Sequence, residues 1–167
     1  PFVKKGVTFF YYYYIYPLMR INKNVLFILL FVLANIVFAQ RYNFKTFNTK
    51  HGLGNSSVNA FFQSSEGYLW YATQGGGLSR FDGKTFKNFT KDDGLISNDI
   101  ISVLEDKNHT LWVGTIEGLS TFNGKSFNNY SEKDGIGAFT IYGVNEFKDG
   151  SVWISTFGGG VKVFSTD

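Results

Sequence analysis

Tyr68-Leu69-Trp70-Tyr71-Ala72-Thr73 is the stretch whose reading decides the fold. It returns as Thr110-Leu111-Trp112-Val113-Gly114-Thr115 and as Ser151-Val152-Trp153-Ile154-Ser155-Thr156, with the tryptophans 42 and then 41 residues apart. These three tryptophans are all that the 167-residue chain contains. A strand-like segment recurring at such a period marks a tandem β array, in which each copy buries a face that it cannot bury alone.

The rest of the period repeats with the hexapeptide. Each unit opens on Gly52-Leu53, Gly94-Leu95 or Gly135-Ile136, and a polar stretch follows, Asn55-Ser56-Ser57 or Ser97-Asn98-Asp99. An apolar strand comes next, clearest as Val58-Asn59-Ala60-Phe61-Phe62 and Ile100-Ile101-Ser102-Val103-Leu104. A turn pair (Glu66-Gly67, Asn108-His109, Asp149-Gly150) leads into the tryptophan strand. A glycine-bearing bend (Gly75-Gly76-Gly77, Glu117-Gly118, Gly158-Gly159-Gly160) then precedes a third strand, Leu78–Phe81, Leu119–Phe122 or Val161–Phe164. Asp82-Gly83 or Asn123-Gly124 introduces a fourth strand, Thr85–Phe89 or Ser126–Tyr130.

Asp-Gly and Asn-Gly between alternating runs predict two-residue type I′ hairpins, because both central positions need positive φ. Each unit is then a four-stranded antiparallel meander of about 42 residues. In the third strand Leu78 and Arg80 face one side and Ser79 and Phe81 the other. Apolar residues on both faces require cover on both, which radially stacked blades supply. The expected fold is an all-β propeller segment of three consecutive blades, about 52–93, 94–134 and 135–167. The inter-blade core would be Trp70, Trp112, Trp153, Leu78, Leu119, Phe81 and Phe122. Burying one tryptophan contributes roughly 4–6 kcal/mol gross, from ~150–250 Å² at ~25 cal/mol/Å². The last unit breaks off before its fourth strand, and Tyr42–Phe47 reads as the fourth strand of a preceding blade. The array is therefore expected to be a fragment of a larger propeller, prone to association through its end blades.

Charge is unevenly placed. Lys4, Lys5, Arg20 and Lys23 are the only charged residues before position 40, leaving 12 basic and 13 acidic side chains in 40–167. The basic pI belongs to the N-terminus, and the repeats have no electrostatic case for nucleic acid. There are no cysteines for disulfides or thiolate metal sites. From Met19, Arg20 and Lys23 precede the apolar run Val25–Phe38, and small residues flank an Ala39/Gln40 cleavage point. This is the layout of a signal peptide over 19–39. Its 14-residue run is shorter than the roughly 20 residues of a membrane span. Residues 1–18, with their aromatic tract, read as sequence upstream of the native start; a second membrane-associated segment is the competing reading.

In a meander the connections alternate ends. The two hairpins of each unit share one face, and the glycine bends and inter-unit links share the other. That second face carries His51, Asn55, Ser56, Gln74, Asn98, Asp99, Glu117, Tyr142 and Phe157. Asn55, Gln74, Asn98, Asp99, Glu117, Tyr142 and Phe157 are the ligand-binding candidates, since rings beside amides and carboxylates suit carbohydrate or peptide. Asn98 and Asp99 have a plainer reading as caps of their own loop backbone. Gly75-Gly76-Gly77 precedes a strand, so no helix N-terminus makes it a phosphate cradle. His109 stands in a slot otherwise held by glycine, and His51 where Asp93 and Asp134 stand, both turn positions. Asn55-Ser56-Ser57 and Asn108-His109-Thr110 match glycosylation acceptors. No metal-ligand spacing or catalytic triad repeats, so no cofactor, metal or catalytic residue is expected.

The pattern Gly94-Leu95-Ile96-Ser97-Asn98, then Leu111-Trp112-Val113-Gly114-Thr115, Gly-Gly-Leu-Ser-x-Phe and Asp/Asn-Gly-x-x-Phe resembles the two-component regulator propeller repeat, over about residues 42–167. Ala72 and Ser155 replace the glycine before threonine, and unit three reads Gly137-Ala138-Phe139 in place of the Ser-Asn pair. The resemblance implies a periplasmic or extracellular sensor region of a sensor or hybrid histidine kinase. Further blades, a transmembrane helix and a downstream phosphorelay kinase would be its partners in the full-length chain, and a glycan or oligosaccharide its ligand. The alternatives are a secreted or surface-attached scaffold, and a propeller lyase or hydrolase for which Asp99 is the only nearby acid.

Overall fold

The structure is a computed structural model in which residues 22–36, 42–136 and 140–164 are described. The chain divides into two units, Pro1–Lys45 and Thr46–Asp167. In the first, α1 (Lys23–Ile36) is a 14-residue helix covering most of the apolar run, with Val25 to Phe31 exposed. Among the described residues no helix is long and apolar enough to cross a membrane. The cleavage point at Ala39/Gln40 and the tract 1–18 lie outside the described residues.

The second unit is three antiparallel sheets. β1 (Val58–Gln63), β2 (Leu69–Thr73), β3 (Leu78–Phe81) and β4 (Phe86–Phe89) form the first sheet in sequence order. β5 (Ile100–Glu105), β6 (Leu111–Thr115), β7 (Leu119–Phe122) and β8 (Phe127–Tyr130) repeat it. β9 (Ile141–Glu146), β10 (Val152–Thr156) and β11 (Gly160–Phe164) make a three-stranded sheet. The register repeats as well: Trp70 opposes Phe62 and Arg80, and Trp112 opposes Leu104 and Thr121. These are the blades of a propeller segment.

The core lies between blades. Trp70, Ala72, Leu78 and Phe89 of the first blade close on Ile100, Val103, Leu111, Val113 and Phe122 of the second, and Leu95 of the link joins them. Trp112 and Leu119 close in turn on Ile141, Val144, Val152 and Ile154 of the third blade. Every residue of β6 and β7 is buried, because among the described residues the middle sheet alone is covered on both faces. Aromatic contacts recur with the period: Phe89 lies 5.5 Å from Phe122 and 5.9 Å from Phe127. Phe47 repeats that placement on the first blade, 5.1 Å from Phe81 and 5.8 Å from Phe86.

Three expectations need correction. Tyr42–Phe47 is not a strand: among the described residues it has no neighbouring strand to pair with, and only the ring of Phe47 takes the packing position of a blade edge. Trp153 is 39% exposed while Trp70 is 3%, because no described blade covers the far face of the third sheet. The hairpins also use other turns. Gly67 N–H donates to the Ser64 carbonyl at 2.9 Å, closing a three-residue loop with Gly67 at φ 86°. That is a type I turn followed by a bulge residue. In the β3–β4 hairpin only Gly83 has positive φ, so the central pair is Gly83-Lys84, with Asp82 before it. The Asp82 carboxylate accepts from the N–H of Lys84 and Thr85, and the Asn123 amide oxygen does the same for Lys125 and Ser126. The acid or amide is chosen to cap the turn from outside it, not to sit at its apex.

Candidate ligand-binding site at the loop face

Each link into a blade begins with a single 3-10 turn, Thr49–His51, Lys91–Asp93 or Glu132–Asp134, ended by a left-handed glycine. His51 does here what Asp93 and Asp134 do: its Nδ1 accepts from the Asn48 N–H at 3.2 Å, as Asp93 accepts from Thr90 and Asp134 from Ser131. The link is then strapped to its own blade. Ser79 and Ser120 accept from the N–H of Gly54 and Ile96, and Asn88 and Asn129 donate to the Gly52 and Gly94 carbonyls. Each serine hydroxyl donates to its asparagine at 2.7 Å. Sequence reading passed over this serine–asparagine pair, although its fixed place in units one and two was visible.

The hexapeptide's last residue closes the bend beyond it. Thr73, Thr115 and Thr156 each donate their hydroxyl to the carbonyl of Gly77, Gly118 or Gly160. Gly77, at φ 77°, brings its Cα so near the Phe89 carbonyl that an added Cβ would lie 2.1 Å from that oxygen. A Cβ on Gly76 would lie 2.4 Å from the Gly54 carbonyl carbon and 2.6 Å from the Asn55 nitrogen. These glycines are needed for the crossing of two backbones.

The loop candidates separate into two groups. Asn55 accepts from Ser57 N–H, and Asn98 accepts from Lys91 N–H, each at 2.8 Å. Glu117 accepts from Lys91 Nζ at 3.0 Å and from Ser97 Oγ at 3.1 Å. The hydrogen bond from Lys91, aided by that from Ser97 and opposed by slight desolvation, holds the Glu117 carboxyl below its usual value. These three side chains hold the loops in shape. Gln74, Asp99 and Tyr142, from three successive blades, instead converge on one open concavity of about 640 Å³ beside the inner strands. Asn59, Ser102 and Ile116 complete its wall, and Asn59 is fixed by donating to the Ile100 carbonyl at 2.7 Å. Phe157 stands edge-on to Tyr142 with ring centroids 6.1 Å apart. The result is one carboxylate, two amides and the Tyr142 ring, backed by Phe157, around a depression able to admit a polar ligand several atoms across. Among the described residues no group of three His, Cys, Asp or Glu could hold a metal.

A family model for the two component regulator propeller matches residues 52–75 and 94–117. Two stretches of the chain thus match the two-component regulator propeller repeat. Both run from the left-handed glycine through the first two strands of a blade into the glycine bend, so they include the link backbone and the tryptophan, while the serine and asparagine of the strap lie beyond them. Among solved structures, the extracellular domain described as that of hybrid two component system BT3049 from B. thetaiotaomicron is similar, with 26% identity and a TM-score of 0.63. It aligns with 70% of this chain, which spans only 17% of that one. The extracellular domain of BT4673 from the same organism shares the fold at 18% identity and TM-score 0.55, again over 70% of this chain and 17% of that one. A streptogramin B lyase structure shares it at 15% identity and TM-score 0.50, covering 69% of this chain and 42% of the other. No curated protein matches the sequence.

Proposed function

We propose that these blades are part of the extracytoplasmic ligand-sensing region of a two-component signalling protein. The repeats within the first two blades carry this reading, since both match the family's model and their first two strands pair in the same register. The α1 segment and its flanks act as the export signal. The ligand docks where Gln74, Asp99 and Tyr142 meet. A glycan or oligosaccharide suits it, because a sugar ring offers hydroxyls to the amides and carboxylate and an apolar face to Tyr142 and Phe157. Occupancy would shift the packing between blades, and a downstream histidine kinase would read that shift. Asp99 is the only carboxylate among the lining residues and Tyr142 the only other titratable group, a set that favours binding over acid–base catalysis.

Two measurements test this. Reading the coding sequence beyond Asp167 should reveal further blades, a transmembrane helix and a kinase; a stop codon after further blades would favour a secreted scaffold instead. Screening the full-length ectodomain against an oligosaccharide array should give hits that weaken by about tenfold or more in Asp99→Asn and Tyr142→Ala. Hits indifferent to both substitutions would move the ligand elsewhere.

A further inference from the structure

At the opposite end of the blades, one corner of the second blade is built around a carboxylate. Buried Asp106 accepts through Oδ1 from the N–H of Asn108 and Thr110, 2.9 Å each, and through Oδ2 from Trp112 Nε1 at 2.8 Å. The first blade makes the same turn. Ser64 N–H donates to the Tyr68 carbonyl and Gly67 N–H to the Ser64 carbonyl, as Asp106 and His109 do in the second. The acid, however, is absent, because Ser64 stands at its position and turns its hydroxyl toward the Tyr68 carbonyl at 3.4 Å. Among the described residues no side chain accepts from the N–H of Glu66 or Tyr68, and buried Trp70 Nε1 has no partner at all. Three donors that hold a carboxylate in one blade are thus preserved without it in the next.

A cation has arrived at the same corner. Arg80 lies directly across the ladder from Trp70, where Thr121 faces Trp112. Its guanidinium rests 4.3 Å from the centroid of the Tyr68 ring and 5.8 Å from that of Trp70. Among the described residues it makes no salt bridge, whereas Lys91 does. The cleft beside it, about 210 Å³, is lined by Ser64, Glu66, Trp70, Arg80, Glu105 and His109. Its two acids differ in availability. Glu105 is engaged by the N–H and hydroxyl of Ser65, at 2.6 and 3.0 Å, and lies 3.6 Å from His109. Glu66 is exposed at the rim.

We propose that this corner binds a small carboxylate in the place that Asp106 fills in the second blade. One ligand oxygen takes the N–H of Glu66 and Tyr68, and the other takes Trp70 Nε1. Arg80 swings off the rings to admit the ligand and then pairs with it. A guanidinium and three N–H donors are the complement that a desolvated carboxylate requires. The proposal is independent of the sensor reading, because it concerns the hairpin end and not the concavity.

The test is an acetate titration of the full chain at constant ionic strength, followed by the three indole N–H signals in ¹H–¹⁵N spectra; Trp70→Phe assigns the relevant one. The Trp70 indole and the Glu66 and Tyr68 amides should move saturably, with a Kd on the order of millimolar. Ser64→Asp supplies the acid internally and should weaken acetate by about tenfold or more while raising the melting temperature. Arg80→Thr, which copies the second blade at an incompletely buried site, should weaken acetate several-fold with the spectrum otherwise intact. Glucuronate in a parallel titration separates the sources: tighter binding than acetate points to an acidic sugar, equal binding to a free small acid. Non-saturating shifts, equal movement of all three indoles, or unchanged affinity in Ser64→Asp would overturn the proposal.

Discussion

His109 is the one described non-glycine residue held at positive φ, 64°, in a slot where Gly67 and Gly150 each sit at 86°. Left-handed backbone costs a side-chain-bearing residue roughly 1–2 kcal/mol. The imidazole recovers part of this by meeting Ser65 Oγ at 2.9 Å and Glu105 at 3.6 Å, contacts worth a few tenths when exposed. His109→Gly should therefore stabilise the protein by about 1 kcal/mol, seen as a higher urea midpoint at unchanged slope. Acid sensitivity also belongs to single residues. The N–H groups of Thr85 and Lys84 hold the Asp82 carboxyl below its usual value; the Ser131 N–H and hydroxyl do so for Asp134, and Ser151 for Asp149. Folded values below the unfolded ones mean that this stabilisation is complete above the ordinary carboxylate range. It is lost as pH falls through the depressed values. A melting-temperature profile should be flat near neutrality and drop on the acid side below about pH 4. Asp82→Asn should shrink the drop without lowering the neutral plateau, because Asn123 already makes the same cap in the second blade.

Among elements, the glycine bend and the serine–asparagine strap decide how a link crosses its blade. Gly77→Ala sets a Cβ against the Phe89 carbonyl at a left-handed φ, where neither backbone can yield without breaking the β3–β4 pairing. A loss on the order of 3 kcal/mol or more is expected, measured by chemical denaturation. Fully buried Ser120 accepts from Ile96 N–H and donates to Asn129, so Ser120→Ala strands both. That should cost about 1–3 kcal/mol, and Ser120→Thr should restore less than half of it if the buried slot rejects the added methyl. Lys162 holds the corresponding slot opposite Ile154 in the third sheet, in place of the strap's serine.

At the scale of the whole molecule the decisive fact is that, among the described residues, only the middle blade is covered on both faces. The first sheet presents Phe61, 72% exposed, and the third presents Trp153, Val161 and Val163. Apolar sheet faces of this kind seek cover. In isolation the chain should self-associate in sedimentation velocity, and Val161→Lys combined with Val163→Glu should shift the distribution toward monomer. A sharp concentration-independent monomer peak for the unsubstituted chain would contradict this. The two solved extracellular domains from B. thetaiotaomicron are long enough to hold this segment within a far larger assembly, since it spans 17% of either.

Sequence alone determined the blade. The period, the hairpin punctuation and the alternation around Trp70, Trp112 and Trp153 are local signals, and the register follows from them because a one-residue slip would turn every core side chain outward. Even the loop face was legible, since a meander alternates its ends. Which loop residues are free to meet a ligand was not. Asn55, Asn98 and Glu117 look as available in sequence as Gln74, Asp99 and Tyr142, yet the first three are spent on Ser57, Lys91 and Ser97. Local loop bonds engage Asn55 and Asn98, whereas the meeting of Gln74, Asp99 and Tyr142, 25 to 68 residues apart, depends on packing between sheets. The exposure of Trp153 was beyond the sequence for the same reason, because the burial of a blade face is a property of its neighbour.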